Sequence, residues 1–284
     1  MSESPNTLHA EDWAGEIGER WLANLDPFEG QIAPVGDALF ARAGFAPGEH
    51  VIDIGCGGGG TTIRIARAVA PGGSVLGLDI SQALVDEARR RAQAAGATAA
   101  AFTCADAAAG IPEGAPFDRL YSRFGTMFFA DPKSAFANLH AMLRPGGRID
   151  ISVWAPAPDN PWMMETMGVV ARHIALPPRV PGTPGPFAFG DTGYLLEILA
   201  AAGFSEPDIA GWEGLQPIGG PGATPAEAAA FITGASSVAD TLKAAGPEIA
   251  ARVVGEVAAL YARFHRPGEG VMMGGKAWLV TARA

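Results

Sequence analysis

Between residues 50 and 154 the chain alternates short apolar runs with helical periods, and this alternation restricts the fold more than any other feature. The runs are His50–Ile54, Ser74–Leu78, Ala99–Cys104, Phe117–Ser122 and Arg148–Trp154, each long enough for one strand. Thr62, Ile65, Ala66 and Val69 share one side of a helix, as do Leu84, Val85, Ala88 and Ala92, and again Phe136, Leu139 and Leu143. Pro71-Gly72-Gly73 and Arg144-Pro145-Gly146-Gly147 stop two of these helices, Ser81 is the expected N-cap of one, and Asp131-Pro132 opens another. Antiparallel strands can be joined by a tight turn, whereas strands joined through helices run parallel and are covered on both faces. The expected class is therefore α/β.

The flanks read differently. Trp13, Ile17, Trp21 and Leu25 recur at every fourth position, the face of one helix, and a second helix carries Leu39, Phe40 and Ala43 up to Gly44. Residues 155–192 hold eight of the 23 prolines around one short helix, Trp162 to Ile174, which is poor core material and reads as a lid. Thr192 to Gly203 is helical, and two more strands are expected at Pro207–Trp212 and Ala277–Ala282, separated by a helical insert over 225–265. The organisation expected is a helical cap over 1–48, a core over 49–154, a lid insert over 155–192, and a C-terminal part of the core over 193–284 with a helical insert at about 219–270.

Composition narrows the partners. A chain of 284 residues is one large domain or a domain carrying inserts. Its net charge of −10 argues against a nucleic-acid partner, because that affinity comes largely from Lys and Arg on phosphates. Two cysteines, Cys56 and Cys104, make neither a disulfide framework nor a four-ligand zinc site. The opening MSESPNTLHAEDW has no signal-peptide character, and no uncharged apolar run reaches the length of a membrane span. A cytoplasmic protein acting on a small molecule is the expectation, and self-association into a homodimer is compatible with it.

Chemistry concentrates at one rim. Gly55-Cys56-Gly57-Gly58-Gly59-Gly60 joins the first strand to its helix, where glycines let a ligand approach the backbone and the helix N-terminus offers free N–H groups. The loop satisfies G-x-G-x-x-G through Gly55, Gly57 and Gly60, so a nicotinamide-dependent oxidoreductase is one reading. Three strands end near acids: Asp53 lies two residues before the loop, Asp79 stands 22 residues after Gly57, where a ribose-binding acid belongs, and Asp106 follows the third strand. A pyrophosphate would be repelled by such a rim. S-adenosylmethionine, with a sulfonium and an ammonium and no phosphate, suits it better.

In order and spacing, VIDIGCGGGG, GLDIS, the acid of CADAA, FDRLYSRFGTMFF and LRPGGRIDISVW resemble the motifs of class I S-adenosylmethionine-dependent methyltransferases, within them the small-molecule branch related to ubiquinone/menaquinone C-methyltransferases. The resemblance covers residues 13–154 strongly and the later lid and closing strand more loosely. It implies a Rossmann-like, seven-stranded, mostly parallel sheet with helices on both faces, an antiparallel last strand and helical cap and lid inserts. By the same resemblance, Gly55, Cys56 and Gly57 carry the methionine moiety of the cofactor and Asp53 supports its ammonium. Asp79 takes the ribose hydroxyls, Ile80 packs on the adenine, and Asp106 with Ala107 receives the exocyclic amine. Ser122 and Arg123 sit under the methionine end, and Trp21 closes the pocket, although its spacing equally fits ordinary helix-face packing.

Missing motifs are also informative. Ser122-Arg123-Phe124-Gly125-Thr126 stands where an Asn/Asp-Pro-Pro-Tyr segment would mark the DNA-adenine and glutamine N-methyltransferases, and no Pro-Cys pair supplies a cytosine-attacking thiolate. The acid trio of magnesium-dependent catechol enzymes is not evident, so no metal is expected. Arg123 and His173 are the catalytic candidates: Arg123 either binds an acidic acceptor or pairs with a rim aspartate, and His173 equally reads as a solvated helix-end residue. Glu165, Tyr194 and methionines 163, 164, 167, 272 and 273 are candidate acceptor-pocket residues, though methionines serve as core filler just as readily. The function expected is methyl transfer from S-adenosylmethionine to an apolar or aromatic small molecule at O, C, N or S.

Overall fold

The computed structural model describes residues 10–176, 183–235 and 238–284. Its helices are α1 (Ala10–Ala14), α2 (Glu16–Ala23), α3 (Leu25–Ala43), α4 (Gly60–Ala68), α5 (Gln82–Ala94), α6 (Pro132–Ala141), α7 (Pro161–Val170), α8 (Thr192–Ala201), α9 (Pro225–Ala235), α10 (Val238–Ala245) and α11 (Pro247–Tyr261). Its strands are β1 (His50–Ile54), β2 (Ser74–Asp79), β3 (Ala100–Cys104), β4 (Phe117–Arg123), β5 (Leu143–Trp154), β6 (Ser205–Ile218), β7 (His265–Arg266) and β8 (Gly270–Arg283).

The strands form one sheet in the order β3-β2-β1-β4-β5-β8-β6. The first five run parallel, and β8 enters antiparallel between β5 and β6. This is the expected Rossmann-like architecture, with an eighth strand added: the two-residue β7 pairs with the start of β8. Successive strands step one way from β1 to β3 and the other way from β4 to β5, so right-handed crossovers put α4 and α5 on one face and α6 on the other. The order reverses between β1 and β4, where an open α/β sheet binds its ligand. Ile52, Leu120, Ile149, Ile151 and Val153, all with no exposed surface, run through the middle of the core. Among the described residues no helix is long and apolar enough to cross a membrane.

Three sequence readings are corrected. The single N-terminal helix is broken at Gly15 and at Asn24, so Leu25 begins α3, which continues through Pro34 to a left-handed Gly44. Ser81 holds the N-cap position of α5, yet its hydroxyl makes no capping bond; it lies 2.6 Å from where a Cβ on Gly18 of α2 would stand. Leu143 belongs to β5 rather than to the helix before it. The expected last strands are also longer in the structure, because β6 and β8 stay paired past the end of β5 as far as Ile218 and Val271. That extension holds Gly214, Pro217, Gly274 and Gly275, residues that hide a strand from propensity. Prolines 177, 178 and 181 of the lid segment, and residues 1–9 of the expected cap, lie outside the described residues.

Polar groups also hold the base of the sheet. Arg119 on β4 donates to Glu49, to Asp150 on β5 and to the carbonyls of Ala43 and Gly44, and Arg148 pairs with the other oxygen of Asp150. The Asp150 side chain has no exposed surface, so its charge depends on both arginines. Removing one partner of a buried pair leaves an uncompensated charge. Arg119→Ala is therefore expected to cost about 3–5 kcal/mol of stability, measured by urea unfolding.

Candidate functional site

The glycine loop is tied to the neighbouring strand. The amides of Gly55 and Cys56 both donate to the Leu78 carbonyl of β2, at 2.8 and 3.1 Å. One residue further, the Gly57 amide donates to Asp79 Oδ2 at 2.8 Å, while Ser81 N donates to Asp79 Oδ1 at 3.0 Å. Two glycines are dictated by this path. Gly55 has φ 67°, and a Cβ there would stand 2.9 Å from Gly125 Cα in the turn after β4. Gly57 has φ 53°, and among the described residues the only heavy atom within 4 Å of its Cβ position, outside its chain neighbours, is Trp21 Nε1 at 3.8 Å.

Helices α2 and α3 form the roof. Trp21 stacks on Phe28 at 3.9 Å with the rings 4° from parallel, and Phe28 meets Phe231 of α9 edge-on. Leu25 lies over Gly58, Gly18 over Ser81, and Arg20 bonds Asp240 of α10. The roof thus spans the loop and the end of β2. Trp21, Asp53, Gly55, Cys56, Gly57 and Asp79 are brought together around this turn. Ile80 follows Asp79, its carbonyl accepting from Cys104 Sγ, and Asp106 accepts from Ala108 N within its own turn. Ala107 is buried, its carbonyl taken by Asn138 of α6. Ser122 points inward and donates to the Ile54 carbonyl, a strut between β4 and β1. Arg123 lies on the opposite side of its strand, against Gly36 of α3.

His173 is placed elsewhere. Its Nε2 is 2.9 Å from Glu256 of α11, which also pairs with Arg172, so it is tied to the C-terminal helical insert. His140 packs edge-on against Phe204. Met163 and Met273 are buried, and Met164 is exposed. The sequence reading missed the partner of Asp53: Thr62 of α4 donates to it at 2.7 Å. The signal was present, since Thr62 shares the inward side of that helix with Ile65, Ala66 and Val69.

Burial sets the electrostatics. Asp53 is 1 % exposed, and its pKa is pushed up to about 7 by burial, against the Thr62 hydrogen bond and the Arg123 charge. Burial also raises Asp79, against the amides of Ser81, Gly57 and Ile80. The Cys56 thiol is pushed up by burial and then by both aspartates, which keeps it a small inert core residue rather than a nucleophile. Among the described residues no cluster of His, Cys, Asp and Glu could hold a metal. Between about pH 4 and 7 folded Asp53 holds a proton that the unfolded chain has released, so this group lowers stability as pH rises, by up to about 1.4 kcal/mol per unit. Unfolding free energies between pH 4 and 8 should accordingly fall less steeply for Asp53→Asn than for the wild type.

Residue types and geometry fit a cationic nucleoside cofactor. Each Asp79 oxygen accepts one backbone bond and keeps acceptor capacity for a hydroxyl. The backbone at Gly57 is open toward Trp21, and the rim carries acids where a pyrophosphate would need cations. Comparison with known proteins agrees. Residues 51–147 match the family described as "Methyltransferase domain". The chain is 30 % identical over 182 residues to the nocamycin O-methyltransferase of Saccharothrix syringae, covering 61 % of this chain and 65 % of that protein. It is 35 % identical over 144 residues to the trans-aconitate 2-methyltransferase of Delftia acidovorans, covering 50 % of this chain and 49 % of that one. The chain spans between about a third and two thirds of the length of the curated relatives first matched. The solved structure of the 4+2 cyclase SpnF shares the fold, with TM-score 0.55 and 22 % identity over 88 % of this chain and 80 % of that chain. Over residues 51–147 the chain thus matches a methyltransferase domain, and the two curated relatives named above, which share this core, are methyltransferases.

Proposed function

We propose that the chain transfers a methyl group from S-adenosylmethionine to a small-molecule acceptor with an apolar or aromatic body. The observation that carries this reading is the Gly57–Asp79 turn, a glycine backbone open to a ligand beside the carboxylate that ends β2, one strand from the switch point of the sheet. Gly55, Cys56 and Gly57 would hold the methionine part along the loop. Asp79 would take the ribose hydroxyls, Ile80 and Ala107 would flank the adenine, and Asp106 would receive its amine. Asp53, fixed by Thr62 through one oxygen, keeps the other for the ammonium. The division into a cap over 1–48, a core over 49–154 and inserts at 155–192 and about 219–270 belongs to the same proposal: core for cofactor, cap and inserts for acceptor.

S-adenosylmethionine supplies, when bound, a methyl group activated on a sulfonium. The acceptor's lone pair forms the new bond to carbon while the carbon–sulfur pair stays on sulfur. What the chain contributes is alignment and exclusion of water. Alignment alone is worth roughly 7–11 kcal/mol in well-arranged cases. The roof of Trp21, Phe28 and Phe231 is apolar and packed, and Phe124, Trp154 and Trp162 form a second aromatic run beyond β4. These two groups support an acceptor with an apolar or aromatic body.

The nicotinamide alternative is favoured neither by the family match nor by the relatives. The cyclase on this fold supports a second reading, a different reaction on a retained cofactor site. Calorimetric titration with S-adenosylhomocysteine, NAD and NADP tests the cofactor, and transfer of labelled methyl to a panel of phenols, acids, amines and thiols tests the reaction. S-adenosylhomocysteine is expected to bind and the nicotinamides not to. Asp79→Ala is expected to weaken that binding by about 1.5–3 kcal/mol for each charge-assisted bond lost; an unchanged affinity would remove Asp79 from the ribose site.

A further inference from the structure

The roof over the glycine loop is fastened to the core at one guanidinium. Arg91, in the last turn of α5, presents each of its three nitrogens to a different carboxylate. Nε meets Glu87 of its own helix at 2.9 Å, Nη1 meets Glu29 at 2.9 Å, and Nη2 meets Asp26 at 2.8 Å. Asp26 and Glu29 stand three residues apart at the start of α3, so they share one side of that helix and the cation holds it at two points. The side chains of Arg91 and Glu29 are 24 and 23 % exposed, whereas Asp26 is 87 % exposed. The Glu29 arm is therefore the better shielded, and the Asp26 arm is the one that salt weakens most.

The stretch that Arg91 holds is the stretch that covers the loop. Trp21 Nε1 stands over Gly57, Leu25 packs on Gly58, and Glu29 Oε1 is 3.2 Å from the Cβ position of Gly60. The chain from Trp21 to Glu29 thus runs along residues 57 to 60, with Phe28 stacked on Trp21 between them. A second ionic tie lies on the far side, where Arg20 of α2 pairs with Asp240 of α10. Arg20 joins the roof to the C-terminal insert; Arg91 joins it to a helix that covers the sheet. Among the described residues the hydrogen bonds of the Arg91 side chain all go to carboxylates, so it acts on the loop through α3.

We propose that Arg91 is the positioning residue of the roof: an ionic clasp between α5 and the start of α3 that sets how fast a molecule on the glycine loop enters and leaves. The proposal rests on the reading of that loop as the S-adenosylmethionine site and adds a control on access to it. Entry and exit both pass the stretch that carries Leu25 and Phe28. Loosening it speeds both, and the affinity, which is the ratio of the two rates, changes little. A residue that only supports the fold behaves otherwise. Its loss lowers the fraction of protein able to bind and leaves the rates of the folded fraction alone.

The test is the kinetics of S-adenosylhomocysteine on the full chain, with association followed by stopped-flow tryptophan fluorescence and release by an unlabelled chase of tritiated ligand. Arg91→Met keeps the stem and removes the charge; it should raise both rates about fivefold and hold Kd within threefold of wild type. Arg91→Lys should recover part of the difference. Raising NaCl from 0.1 to 1 M shortens the screening length from about 10 to about 3 Å, and should speed release from the wild type more than from Arg91→Met. Glu29→Gln alone should act in the same direction, and added to Arg91→Met it should change nothing further, because the pair is already broken. Should Arg91→Met not fold, Asp26→Asn with Glu29→Gln opens the same clasp from α3, leaves Arg91 on Glu87, and should give the same rates. Rates within twofold of wild type in folded Arg91→Met overturn the proposal. Faster release at an unchanged association rate also overturns it, because Arg91 then shapes the bound site and not the access to it. Effects of Glu29→Gln and Arg91→Met that multiply overturn it as well. Failure of the wild type to bind S-adenosylhomocysteine overturns the cofactor reading itself and is seen before any variant is made.

Discussion

A single carbonyl organises the site. Leu78, the penultimate residue of β2, accepts from two consecutive amides of the glycine loop. That shared acceptor turns the loop back toward β2 and delivers the Gly57 amide to Asp79. Everything placed around the loop inherits the turn: the approach of Gly55 to Gly125, the packing of Leu25 on Gly58 and the position of Trp21 over Gly57. A side chain at Gly55 would drive the loop off the segment after β4, and the two halves of the sheet would lose their common edge.

The face of the sheet beneath α3 carries charge at two levels with opposite character. At the base, Arg119, Arg148, Glu49 and Asp150 satisfy one another and close the bottom of the domain. Four residues beyond Arg119 along β4 the compensation stops, and Arg123 and Asp53 of the neighbouring β1 feel each other's charge without pairing. Closed networks specify packing, whereas partly satisfied ones are the expensive exceptions that proteins keep for chemistry. The change from one to the other along β4 marks where structure ends and function begins.

The sequence made the core legible because parallel strands leave a strong local signature: each apolar run ends in a turn and hands over to a helix of matching period. Asp131 before Pro132 announced α6 correctly, since the cap bond to Ser134 is a local affair. Legibility failed where partners are distant. Ser81 sits at an N-cap but faces Gly18, and nothing within a few residues of either predicts that. The extension of β6 and β8 is written in glycines and a proline, which resemble a loop until the pairing between Gln216 and Met273 is seen. Trp21 was readable both as core and as roof, and it is packed on Phe28 while standing over the loop.

The placement of β8 has a consequence in time as well as in space. Strand β8 follows both of its neighbours in the chain and lies between β5 and β6, so the sheet is completed only once residues 270–283 have left the ribosome. The roof follows the same rule, because Arg20 meets Asp240 across 220 residues of sequence and Phe28 meets Phe231. Closing such loops is paid in chain entropy before any contact repays it. The five parallel strands are made before β6 and β8, whereas the roof above them is assembled from segments about 200 residues apart in sequence. A chain stalled before residue 225 would therefore have made the glycine loop but not the helix that closes its roof.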